Sequence, residues 1–140
     1  MKVDKLVSEI ITIINVLGEQ EMGKLSDDTL SRLSVKLASY KASLGEPVAT
    51  AFKDALDAEA DYQSARAEEY QKLRDSGKGA GDSGELKHIG AKEAFKAWNQ
   101  KRYEHKLLEK LSVDCHDLIG AIQGRLINLH TERKESKHGL

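Results

Sequence analysis

Lys92, Lys96, Asn99, Tyr103, Lys106 and Lys110 recur at steps of four and three, so a helix sets them on one face. Trp98 and Arg102 lie one position over. Lysines neutralise phosphates and release their counterions, while tryptophan and tyrosine offer flat faces to unstacked bases. The chemistry of such a stripe is recognition of a single-stranded nucleic acid. Glu93, Glu104 and Glu109 interrupt it, leaving a net charge of +3 over residues 92–110. The same pattern also describes a solvated helix face with Trp98 packed in the core.

Other groups with chemical potential are poorly placed to use it. Asp114, Cys115, His116 and Asp117 are ligand-type residues, but neighbours on a helix point about 100° apart and cannot converge on one metal. No second cysteine or paired histidine stands at a zinc-like spacing. The five histidines have no serine or cysteine nucleophile at a recognisable spacing. Carboxylate pairs such as Asp57/Asp61 and Glu68/Glu69 fall in an acidic stretch, Asp54–Glu69, that reads as a solvated face. The glycines of 77–84 lack the GxxxxGK[ST] arrangement of a phosphate loop. The expectation is a protein that is not an enzyme and takes no cofactor or metal.

The elements that carry these residues read as helices throughout. Leu6, Val7, Ile10, Ile13, Ile14 and Leu17 share one face of a helix over Asp4–Leu17, and Gly18 can end it. Ser26 is a good N-cap, with Asp27 and Asp28 at the positive end of the helix dipole. Leu30, Leu33, Leu37, Tyr40 and Leu44 make the apolar stripe of this second helix. Gly45-Glu46-Pro47 predicts a break, with proline opening a third helix over 47–74. Its inner face is small: Val48, Ala51, Ala55, Ala58, Tyr62 and Ala65. Residues 75–89, glycine-rich at their start, predict a linker.

The last helix is expected over 90–131. In its second half, Leu108, Leu111, Cys115, Leu118, Ile119, Ile122, Leu126 and Leu129 follow a 3.5-residue spacing suited to a coiled-coil seam. Helices so long predict an all-α fold: an elongated helical hairpin or coiled-coil bundle with two shorter N-terminal helices. The single domain divides into an N-terminal pair (1–45), the hairpin, the linker and a polar tail (132–140) that frays. Leu111, Cys115, Ile119, Ile122, Leu126 and Leu129 would complete the core by packing against another copy of the chain.

Composition agrees with that class. The chain has 140 residues, one proline, 32% charged and 5% aromatic side chains, which favours helix and an aliphatic core. Residues 1–75 hold 10 basic against 14 acidic side chains and residues 76–140 hold 12 against 9, an asymmetry that permits head-to-tail association or an anionic ligand. One cysteine cannot form an internal disulfide and fits a reducing compartment. Lys2, Asp4, Lys5 and Glu9 interrupt the hydrophobic run that a signal peptide needs. No stretch approaches the ~20 apolar residues of a membrane span. A cytoplasmic location without membrane contact is expected.

The segment Cys115-His116-Asp117-Leu118-Ile119-Gly120-Ala121-Ile122-Gln123-Gly124-Arg125 resembles the Cys-x3-Leu-x-Ala-Ile-x-Ser-Arg segment of phage recombination-mediator proteins, the UvsY-like family. Leu129 and His130 have counterparts there. Ala58-Glu59-Ala60-Asp61-Tyr62 is similar to that family's Asp-Tyr region, and a glycine-rich connection between long helices is shared. The resemblance covers about half of the chain. It implies a small helical homo-oligomer that binds single-stranded DNA and helps to load a recombinase onto strands covered by single-strand-binding protein. Arg125 is the matching basic residue. Asp57 and Glu59 stand where the family has basic residues, which leaves DNA contact to the lysines of the last helix.

The leading expectation is therefore an oligomeric accessory protein of phage-type recombination, acting in the bacterial cytoplasm. Lys92, Lys96, Arg102, Lys106 and Lys110 would meet phosphates, and Trp98 or Tyr103 would stack on bases. The alternative is a protein-binding adaptor or inhibitor, such as a phage-encoded one aimed at a host enzyme, with no affinity for DNA. An assembly protein using the coiled coil alone is a third.

Overall fold

A computed structural model describes residues 2–19 and 22–138. The fold is all-α: α1 (Val3–Glu19), a single 3-10 turn (Met22–Lys24), α2 (Asp27–Asp75), α3 (Ala80–Gly90) and α4 (Lys92–His138). The described residues contain no strand. The long helices α2 and α4 pack against each other. Ser26 caps α2 as its type predicts, its hydroxyl oxygen accepting from the Thr29 amide at 3.2 Å.

The break expected at Gly45-Glu46-Pro47 is absent, and α2 continues through Pro47 for 49 residues. The expected separate helices over 1–45 and 47–74 are corrected accordingly. The reason lies in the seam. The buried Leu30, Leu37 and Leu44 are continued at the same seven-residue interval by the half-buried Ala51, Ala58 and Ala65, so the stripe keeps its phase across the proline. Proline forfeits one hydrogen bond to residue 43, and Ser43 is exposed to water. Pro47→Ala is expected to raise the unfolding free energy by about 1–2 kcal/mol. The ~3 kcal/mol difference in helix propensity is reduced by the freedom that alanine restores to the unfolded chain. The urea midpoint checks this, and a lower midpoint would show that the interruption is itself required.

The proline does mark a boundary. The chain forms two compact units, one comprising residues 1–47 and 108–140, the other Val48–Leu107. In the first, Leu6, Ile10, Ile13 and Leu17 of α1, Leu30, Leu37 and Leu44 of α2, and Leu108, Leu111, Cys115 and Ile122 of α4 are buried. Each large aliphatic so buried contributes about 1.5–3 kcal/mol. Antiparallel α2 and α4 are tied by Lys41 Nζ to His116 Nδ1 at 3.0 Å and by Arg133 to Asp27 at 2.6 Å. The Tyr40 hydroxyl donates to Glu9, and this bond first, then burial and the carboxylate charge, raises the pKa of the phenol.

The second unit is built of smaller parts. Ala55, Tyr62, Ser83 and Ala91 are buried, while Val48, Ala51, Ala58 and Ala65 are half-buried. Residues 75–89, expected as a linker, hold most of α3 instead. What the glycines make is the turn before it. Gly77 has φ +92°, its amide bonds to the Arg74 carbonyl at 3.0 Å, and the Lys78 amide bonds to that of Leu73 at 3.1 Å. This pair of bonds closes a helix over a left-handed glycine. Asp82 in the first turn and Lys87 in the last then suit the dipole of α3.

The expected tail is also partly helical. α4 runs to His138, and Arg133 is held by Asp27; residues 139 and 140 lie outside the described ones.

Candidate nucleic-acid interface

The first turns of α4, in the unit Val48–Leu107, carry Lys92, Lys96, Arg102, Tyr103 and Lys106, all exposed. Tyr103 has 64% of its surface open to solvent, so a flat ring does stand among these cations. Lys96 lies 3.6 Å from Glu93 and the neighbouring Lys101 3.5 Å from Glu104. Exposed pairs of this kind are worth at most ~1 kcal/mol and exchange readily for a phosphate partner.

Two of the predicted contacts fall in the other compact unit. Lys110 belongs to the other unit, where its ammonium donates to Asp114 at 2.7 Å. Arg125 belongs there too and is half-buried, with Nη1 3.6 Å from Glu132. Its Nε is buried with no hydrogen-bond partner among the described residues.

Trp98 also departs from its expected role. Its ring is stacked on Tyr62 at 5.4 Å and 19°, meets Phe95 edge-on at 6.0 Å and 72°, and has the Arg102 guanidinium carbon 4.9 Å from its centroid. It is half-buried. These neighbours occupy the indole, so the packed alternative describes Trp98 better than base stacking does.

Tyr62 mirrors it from α2. The Arg66 guanidinium carbon sits 5.3 Å from the Tyr62 ring centroid, and the Tyr62 hydroxyl shares a hydrogen bond with His88 Nδ1 at 3.3 Å. The two arginines are held alike. Arg66 Nη1 donates to Gln63 Oε1 at 3.2 Å, and Arg102 Nη2 donates to Asn99 Oδ1 at 2.9 Å. The signal is a repeated five-residue pattern of aromatic, amide, two intervening residues and arginine: Tyr62-Gln63-Ser64-Ala65-Arg66 and Trp98-Asn99-Gln100-Lys101-Arg102. One helical turn brings each arginine back over its own ring. Reading lysines alone passes over it. Tyr70-Gln71-Lys72-Leu73-Arg74 has the same pattern, but there Lys87 lies over the ring at 5.9 Å and Gln71 donates to Asp75 at 2.8 Å.

The expected oligomer seam needs a correction. Leu111, Cys115 and Ile122 are buried within one chain, and Ile119, Leu126 and Leu129 are half-buried. Buried apolar faces of α1 and the first half of α2 fill the same unit, so Leu111, Cys115 and Ile122 are covered without a second copy. In the ligand-type cluster, Asp114 faces Lys110, His116 faces Lys41 and Cys115 is buried, a divergence that helical geometry requires. Burial first, then the Asp114 carboxylate, pushes the Cys115 thiol up. Its thiolate is therefore scarcer than that of a free cysteine at any given pH near neutrality. A thiol-reactive disulfide reagent is expected to leave Cys115 untouched in the native protein and to titrate it fully in denaturant. Rapid reaction of the native protein would mean that this unit opens readily.

Among the described residues, no helix is long and apolar enough to cross a membrane. No protein-family model, curated protein or solved structure matches the chain.

Proposed function

We propose that the chain is a non-enzymatic accessory protein that binds single-stranded DNA through the exposed face formed by Lys92, Lys96, Arg102, Tyr103 and Lys106. Following the resemblance of residues 115–125 to the recombination mediators, its task is to help load a recombinase. The observation that carries the reading is the exposure of four cations and a tyrosine along four turns of one helix. Cations at that spacing displace the counterions of a flexible phosphate chain, and Tyr103 gives a base something to lie on. The binding is nearly blind to sequence because ammonium groups meet phosphates and a ring face stacks on any base.

Fluorescence anisotropy of a labelled single strand, titrated at about 50 and 200 mM salt with the solution mass recorded, tests it. Affinity should fall steeply between the two salts and vary little with sequence. No binding at the lower salt would sink the proposal. Self-association belongs to the proposal too, but it must use a surface other than the buried residues Leu111, Cys115 and Ile122.

One observation favours the adaptor reading. Phe52 and Leu56, one turn apart on α2, keep 50% and 49% of their surfaces exposed. Two large apolar side chains at that spacing suit the groove of a partner protein. Stoichiometric capture of one protein by a chain without DNA affinity would select it.

A further inference from the structure

We infer that Arg102 is a platform for an unstacked nucleobase, and that Trp98 is the positioning residue that holds its guanidinium flat. The inference rests on reading the α4 face as a surface for single-stranded nucleic acid, and it names the group that meets the base.

The geometry separates the two residues. Trp98 is half-buried and in contact with Tyr62 and Phe95. Arg102 is exposed. Its guanidinium carbon lies 4.9 Å from the indole centroid, while Nη2 is tied to Asn99 Oδ1 at 2.9 Å. An aromatic contact and an amide acceptor together restrict a side chain that is otherwise free to rotate. The Arg102 guanidinium is exposed, planar, charged and weakly hydrated, and bases stack on arginine planes as they do on aromatic rings. Lys106 is one turn further along and Tyr103 is the next residue, so a phosphate and a second stacking surface are close by in sequence on the same helix.

The device is present twice. Arg66 lies over Tyr62 and is held by Gln63 as Arg102 is held by Asn99, and the two aromatic rings stack on each other. Arg66 is half-buried, so Arg102 is the accessible member of the pair. A surface arginine serving only as a point charge needs neither the ring nor the amide.

The experiment compares the wild-type chain with Arg102→Lys against two probes, a labelled oligothymidine strand and inorganic polyphosphate, which offers the charge without the bases. Lysine keeps the charge and loses the plane. Arg102→Lys should weaken oligothymidine binding about tenfold, the order of one lost base stack, and leave polyphosphate binding unchanged. Emission from Trp98, the one tryptophan of the chain, should respond to oligothymidine but not to polyphosphate. An unchanged affinity of the variant for both probes, or a parallel loss for both, overturns the inference and leaves the DNA-binding proposal standing. Failure of the wild-type chain to bind oligothymidine at low salt overturns both. Equal melting temperatures of the two proteins confirm that the comparison concerns the surface.

Discussion

Ile122→Ala should lower the unfolding free energy by about 2–5 kcal/mol, and the loss should not depend on protein concentration. Ile122 is fully buried within one chain, in the unit that also buries Leu6, Ile10, Leu30, Leu37 and Leu44. Truncation there removes methyl groups from contact on all sides and leaves a cavity that three packed helices close only in part. Ile119, half-buried three residues earlier, should cost less when truncated, because water already reaches part of it. The discriminating measurement is thermal unfolding at two protein concentrations well apart. A seam between copies makes the melting temperature rise with concentration, and truncation of Ile122 then loosens assembly before it loosens the fold. A concentration-dependent melt that Ile122→Ala abolishes would restore the intermolecular seam.

The difference between those outcomes shows what the sequence could reveal here. Spacing identifies which face of α4 is apolar, and the burial of Leu108, Leu111, Cys115 and Ile122 agrees with it. It is silent on what lies opposite, because an apolar stripe is satisfied equally by another copy and by another part of the chain. The missing fact is that α1 and the first half of α2 join the same compact unit as the end of α4. That is a long-range property, carried by pairs such as Lys41 with His116, 75 residues apart, and no local pattern encodes it.

Pro47 and residues 80–90 fail for a related reason. A proline beside a glycine is a strong local stop signal, yet the heptad from Leu30 to Ala65 outweighs one lost hydrogen bond. In α3 the glycines lower the intrinsic helix propensity, and packing supplies what propensity lacks. Ser83 is buried there, and Gly90 at the end of α3 leaves room for the Glu69 side chain where a Cβ would collide with it. The candidate site was legible as far as the exposure of its charges goes. Lys92, Lys96, Tyr103 and Lys106 are exposed, as a stripe at four- and three-residue steps predicts. Its aromatic partner was not, since Trp98 belongs with Tyr62, 36 positions away on another helix.

Changing Lys92, Lys96 and Lys106 together to alanine should then weaken single-stranded DNA binding by about two orders of magnitude near 0.1 M salt. A single strand releases ~0.7 counterion for each phosphate neutralised, so three lost contacts remove about 2 from the slope of log affinity against log salt. The loss should be uniform across sequences, because these ammonium groups meet phosphates. Stability should barely change, since all three side chains are exposed. The variant also serves as the complement to Arg102→Lys: the lysines set the salt slope, while the arginine sets what remains when charge is held constant. Binding isotherms at four or more salt concentrations give slope and intercept separately. A triple variant with the wild-type slope would remove this face from the DNA-binding reading and direct attention to Phe52 and Leu56 as a protein-binding surface.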